Sequence, residues 1–363
     1  MKSIIPITLL SGLVLLLPSL ASANEFTVKN VKNPHFSESD FPFFVSEKYP
    51  ESASRINIFL QYYYFDKTLQ EEDFASKSSS PFRTTDSYRR VFSFYEPIVT
   101  EKKNYIEVTI SGDACGAYCE WGENTFLFDK YSGRPITLVD LLSPKGTKSL
   151  EIRLRSDNLN RVKKYIINKP DDNSDEYVMG EYYLYNDCYQ NRFRDNYDKI
   201  DEDTNFHLSD NQLTITFGRC SNHASRALDE IGKFENTLSY EELKPYLSND
   251  GIQYLSNQTH SLSNIQTPYR VFQGKIADKY PITVVNIKHG GWSYWYDKYQ
   301  TPIELHKVDC VDATAQCFKE GRYDNMMQKW VYTAEWKMNQ YNDNILGSFI
   351  RISDGKRMSV SIK

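Results

Sequence analysis

The chain has 363 residues, 14% of them aromatic, and sets 43 Lys and Arg against 48 Asp and Glu for a formal net charge of −5. That mildly acidic balance excludes a nucleic-acid binder, which needs a basic face to neutralise phosphates. The length exceeds one typical domain of ~100–200 residues, so two domains are expected.

Residues 1–23 carry Lys2, an apolar run from Ile7 to Leu20 and the small-residue close Ala21-Ser22-Ala23. This is the pattern of a signal peptide cleaved near Ala23. The apolar run is shorter than the ~20 residues a bilayer requires, and no later stretch is apolar enough to span one. A periplasmic or secreted protein without a transmembrane segment after cleavage is therefore expected. The six cysteines, Cys115, Cys119, Cys188, Cys220, Cys310 and Cys317, all follow the leader, and an even number in an exported chain predicts disulfides. Proximity pairs Cys115 with Cys119 and Cys310 with Cys317, which leaves Cys188 for Cys220. No CxxC or HxxxH spacing accompanies them, so neither zinc nor any other metal is expected.

Residues 24–50 are irregular with room for a first strand, and Ala53 to Asp66 repeats apolar residues at Ile56, Phe59, Leu60 and Tyr63 with helical spacing. Residues 67–86 lack a period and read as a loop. Ser87–Thr100 and Lys103–Ser111 alternate like strands, the second with Tyr105, Glu107 and Thr109 opposed to Ile106, Val108 and Ile110. Thr125–Phe128, a turn at Asp129–Gly133 and Pro135–Leu138 predict a hairpin running into a helical turn. Leu150 to Ile167 spaces its apolar residues as a helix face. The run Asp171–Glu176 lacks the register of a calcium loop and reads as solvated. Asn205–Leu208 and Gln212–Phe217 flank a turn and predict another hairpin, followed by a long loop over Gly218–Gly232 and a short helix near Tyr240. Ser248 to Thr267 is polar and reads as a linker. Beyond it, strand-like runs recur at Tyr269–Lys275, Pro281–Ile287, Trp292–Tyr299, Ile303–Val308, Trp330–Met338, Ser348–Ile352 and Met358–Ile362, the spacing of an all-β sandwich or small barrel. The expected class is α+β: a helix-on-antiparallel-sheet domain over 24–248, a linker over 249–267 and a smaller all-β domain over 268–363.

Tyr49-Pro50 before an amphipathic helix, FLFDKYSGRPITLVDLL at 126–142, NFHLSDNQLTITF at 205–217 and LSYEELKPYL at 238–247 together resemble the extracytoplasmic domain of RsiV-type anti-sigma factors. The resemblance covers roughly residues 40–248, and the same domain also precedes some peptidoglycan deacetylases. It implies an α/β domain that binds lysozyme by placing a loop at the enzyme's active site. The corresponding loop here is Gly218–Gly232, where Cys220, Asn222, His223, Arg226 and Asp229 replace a Tyr-rich, Pro-containing segment. The family's signalling and deacetylase parts are not expected in this chain.

Three functions follow as expectations. The first is a non-enzymatic binding protein that captures or inhibits a lysozyme-like peptidoglycan hydrolase through Asn222, His223, Arg226 and Asp229, whose charges suit steering and charge-assisted hydrogen bonds. The second is a module for cell-wall glycan that stacks sugar on Trp292, Trp295, Tyr296 and Tyr299, with Asp297 and Lys298 beside them. The third is a hydrolase of the cell envelope, for which no GxSxG or HExxH signature and no metal spacing among the six histidines appears. No cofactor is expected.

Overall fold

A computed structural model describes residues 24–32, 40–65, 68, 91–115, 119–171, 173–195, 198–209, 211–256, 258, 261–262, 269–287, 291–324, 326–341 and 344–363. The leader expected over 1–23 and the loop expected over 67–86 lie outside the described residues, save Thr68. A hairpin of β1 (Thr27–Lys32) and β2 (Asp40–Val45) precedes helix α1 (Pro50–Phe65). Then come β3 (Val91–Phe94), β4 (Ile98–Glu101), β5 (Tyr105–Cys115), β6 (Cys119–Asp129) and β7 (Pro135–Ile136), which form an antiparallel sheet of order β3-β5-β6-β7 with β4 also on β5. Helices α2 (Leu138–Leu141), α3 (Pro144–Ile166) and α4 (Glu176–Asp195) lead to a second sheet of β8 (Asn205–Leu208), β9 (Gln212–Phe217) and β10 (Phe234–Ser239). Helices α5 (Tyr240–Leu243) and α6 (Asn249–Leu255) close this part.

The alternation of β5 has a physical outcome on both faces. Ile106, Val108 and Ile110 enter a core with Phe128, Phe59 and Leu60 on the α1 side, whereas Tyr105 joins Leu127, Leu150, Leu154 and Tyr185 in a core on the α3 and α4 side. The sheet is thus covered twice. Glu107, on its second face, is only 3% exposed. It accepts from the Leu208 amide at 2.8 Å and faces His207 Nδ1 at 2.6 Å, which ties the second sheet to the first.

Helix α1 is fixed by more than its apolar stripe. Asn57 receives the Phe44 amide and donates to the Phe44 carbonyl, both at 2.8 Å, so a buried carboxamide completes the edge of β2. Ser52 Oγ donates to the Lys130 carbonyl at 2.8 Å. The turn after β6 lies against this point: Asp129 Oδ1 accepts from the amide and hydroxyl of Ser132 at 2.7 and 2.6 Å. Gly133, with φ +69°, is so close that an added Cβ would stand 2.4 Å from the Ser52 carbonyl oxygen.

The C-terminal part is a closed antiparallel barrel in simple sequence order: β11 (Arg270–Ile276), β12 (Tyr280–Asn286), β13 (Trp292–Tyr296), β14 (Ile303–Val308), β15 (Gln316–Asp324), β16 (Lys329–Tyr341), β17 (Asn344–Arg351) and β18 (Arg357–Ile362), the last pairing with β11. Closure leaves no sheet edge. Phe272, Ile282, Val284, Tyr294, Phe318, Trp336 and Phe349 fill the interior. Val271, Val285, Ile287 and Trp295, at the opposite parity of β11–β13, turn outward into the α1 core. The chain is α+β with a smaller all-β barrel. The strand β15 and the helix α4 were not anticipated.

The polar stretch expected to be linker begins instead with helix α6. Ser248 Oγ caps it by accepting the Gly251 amide at 2.9 Å, and fully buried Tyr254 donates to the Asn104 carbonyl at 2.9 Å. Tyr254, with Leu262 buried in the same core, anchors an otherwise polar segment.

Gly133→Ala combines a disfavoured φ with a backbone collision and is expected to cost about 2–4 kcal/mol by chemical denaturation. Burial pushes the Asp129 carboxyl above the ordinary Asp value. Its contribution to stability is complete below about pH 3.9 and is lost as pH rises through the raised value. Wild type is therefore expected to gain on Asp129→Asn as pH is lowered from neutral, checked by denaturation midpoints at several pH values.

Candidate functional site

The loop between β9 and β10 is built on the face of α4. Tyr185, Cys188 and Arg192 recur at helical spacing and turn toward the loop. Cys220 is joined to Cys188 with their Cα atoms 5.3 Å apart. Arg192, 3% exposed, pairs with Asp198, donates to the Gly218 carbonyl and lies over the Phe234 ring at 3.9 Å, so one guanidinium clamps both ends of the loop. Tyr177 Oη donates to the Ala227 carbonyl at 3.1 Å.

Asp229 is the loop's internal hub. Its Oδ2 accepts from the Ser221 amide and hydroxyl at 3.1 and 2.7 Å. Its Oδ1 accepts from the Gly232 amide at 3.0 Å and Tyr185 Oη at 3.2 Å, while Tyr185 Oη receives the Ile231 amide at 2.9 Å. Burial pushes the Tyr185 hydroxyl pKa up, so it remains a donor to this carboxylate. Asn222 Oδ1 accepts from the Ser225 amide and hydroxyl at 3.0 and 3.1 Å, which shapes the approach to the 3-10 turn Arg226–Leu228. Asn222, His223 and Ala224 face outward. Burial first, then the charge of Glu230, pushes Glu181 up, which places acidic groups beside the loop's base.

Of the four residues expected to meet a partner, Asn222 and His223 are exposed, Arg226 is half-buried at the start of the 3-10 turn, and Asp229 is spent holding the loop together. The unanticipated residues are Tyr185 and Arg192. Their spacing with Cys188 carried the signal, obscured because α4 is rich in Tyr and charge and lacks a clean apolar stripe.

The aromatics expected to form one sugar platform are divided by the barrel wall. Trp292 and Tyr296 turn inward, Trp292 stacking on Phe272 with centroids 6.0 Å apart. Trp295, 3% exposed, turns outward and stacks on Tyr62 of α1 at 5.7 Å. Tyr299 is 67% exposed beyond the strand. The strand's two-residue period separates them, and two of the four are inside the barrel.

Cys310–Cys317 is formed as expected across the start of β15, with Cα atoms 5.4 Å apart. The side chains of Cys115 and Cys119 lie outside the described residues, although their backbones pair at the tip of the β5–β6 hairpin. Among the described residues no helix is long and apolar enough to cross a membrane.

No protein-family model matches the chain, and no curated protein matches it significantly. Among solved structures, the chain is similar to a crystal structure of a member of the duf3298 family from Bacteroides fragilis NCTC 9343. The two are 18% identical with a TM-score of 0.38, and the match spans 65% of this chain and 98% of the other.

Cys220→Ser removes the covalent tie between loop and helix. It is expected to cost about 2–4 kcal/mol of stability, measured by denaturation of the oxidised protein.

Proposed function

We propose that the chain is an exported binding protein that captures a lysozyme-like peptidoglycan hydrolase with the loop Gly218–Gly232. The observation that carries this reading is the loop's preorganisation: Cys188–Cys220, Arg192, Tyr185 and Asp229 fix its backbone while Asn222 and His223 stay outward. A recognition loop held in one shape loses little conformational entropy on binding, which is how a small surface reaches useful affinity. Ordinary surface loops do not need a disulfide, a buried arginine and a carboxylate hub.

The roles divide accordingly. Asn222 and His223 meet the partner, Arg226 stands at the edge of that surface, and Asp229 acts as a positioning residue. Exposed Glu230 and Glu235 attract a basic enzyme and raise its association rate. The resemblance of residues 40–248 to RsiV-type domains supports the same partner class. This role requires no catalytic residue, no cofactor and no metal. The leader expected over 1–23 and the disulfides Cys188–Cys220 and Cys310–Cys317 support a periplasmic or secreted location.

The protein spanning residues 24–363 is expected to retain c-type or g-type lysozyme in a pull-down and to reduce its lytic activity. The double variant Asn222→Ala, His223→Ala should weaken capture by about tenfold or more, a loss of ~1.4 kcal/mol. Absence of capture, or capture undiminished in the double variant, would overturn the reading.

A further inference from the structure

Helix α1 and the outer wall of the barrel diverge after their shared aromatic contact and leave a cleft of about 430 Å³. This lies within the ~300–1,000 Å³ of small-molecule sites, which favour domain boundaries. Among the described residues its lining holds one carboxylate, Asp297, and no Lys, Arg or His. That composition selects against anions, and one acid at the rim is too little for a polycation.

The polar groups on the barrel side have hydrogen-bonding capacity left over. Asp297 accepts from Thr283 Oγ1 at 2.9 Å through one oxygen, leaving the other carboxylate oxygen for a ligand. Among the described residues the side-chain carboxamides of Gln273 and Gln300 make no hydrogen bond. Gln300 has φ +52°, a left-handed conformation in which glycine costs less. The turn holds it there, its amide and that of Tyr299 both donating to the Tyr296 carbonyl at 3.0 and 2.8 Å. A glutamine in that conformation sets a donor and an acceptor on the cleft wall. Trp295, whose face is taken by Tyr62, lines the cleft together with Ile58 as its apolar component.

We infer that this cleft binds a neutral saccharide, with hydroxyls bonded by Asp297, Gln273 and Gln300 and a C–H face laid against Ile58 and the edge of Trp295. A carboxylate and carboxamides suit hydroxyls that both donate and accept, and the apolar wall suits the ring. Partial burial pushes Asp297 upward against the lowering effect of its Thr283 hydrogen bond. Because α1 and the barrel each form a wall, occupancy ties the two parts together. The site is on the α1 side of the five-stranded sheet and the loop 218–232 on the α4 side, so this inference goes beyond the hydrolase reading and stands independently of it.

Isothermal titration of the protein spanning 24–363 with chitotetraose, cellotetraose and maltotetraose tests it. At least one is expected to bind saturably, with Gln300→Gly and Asp297→Asn each weakening that sugar by about tenfold. Gln300→Gly should leave the thermal midpoint unlowered, since glycine accepts the backbone conformation, and Asn222→Ala, His223→Ala should leave sugar affinity unchanged. No binding of any of the three up to about 10 mM, or affinity unchanged in either cleft variant, would overturn the inference.

Discussion

The burial of helix α1 between a sheet and a barrel is the constraint on which the remaining structure depends. Phe59 packs edge-on against Phe126 and Phe128 of the sheet, with centroids at 5.7 and 5.3 Å, and also reaches Tyr269 at the entrance to the barrel. Three residues on, Tyr62 stacks on Trp295 of the barrel wall. A Phe side chain taken fully out of water contributes about 1.5–3 kcal/mol, so this one helix face couples two bodies that each have their own core. The unusual aromatic content is therefore structural mortar in the first place, with broad rings spanning an interface that smaller side chains would leave open.

From that arrangement the sheet acquires two different faces. The α1 face is predominantly aromatic. The opposite face carries α3, α4 and the second sheet, and it is there that polar devices accumulate: Glu107 with His207, Arg192 with Asp198, and Asp229 with Tyr185. Buried charges without partners would be costly, and each of these is bonded. The loop over 218–232 hangs from this polar side, with Asn222 and His223 at its exposed surface.

Much of this was legible in the sequence, for identifiable reasons. The β5–β6–β7 hairpin, the β8–β9 hairpin and seven of the barrel strands follow local alternation and turn residues, which act over a few positions. Helix α4 escaped because Tyr177, Tyr182, Tyr183 and Tyr189 surround its circumference and blur the apolar stripe. Strand β15 escaped because Gln316–Asp324 is half-exposed and mostly polar, its place set by pairing with β14 and β16 and not by its own pattern. The expected aromatic platform failed for a reason the period-2 rule already contains: Trp292 and Trp295 differ in parity, so a strand sends them to opposite faces. At the loop, residue types were informative about chemistry and silent about allegiance. Asp229 bonds inward and Asn222 shapes a turn, distinctions that depend on Tyr185 and Ser225 as neighbours.

Hydrogen exchange of the protein alone and with excess lysozyme tests the central claim most directly, because it reports which backbone a partner covers. Slowed exchange is expected to centre on residues 221–228, with the barrel strands unchanged. Protection confined to the barrel, or no change anywhere in the chain, would contradict it.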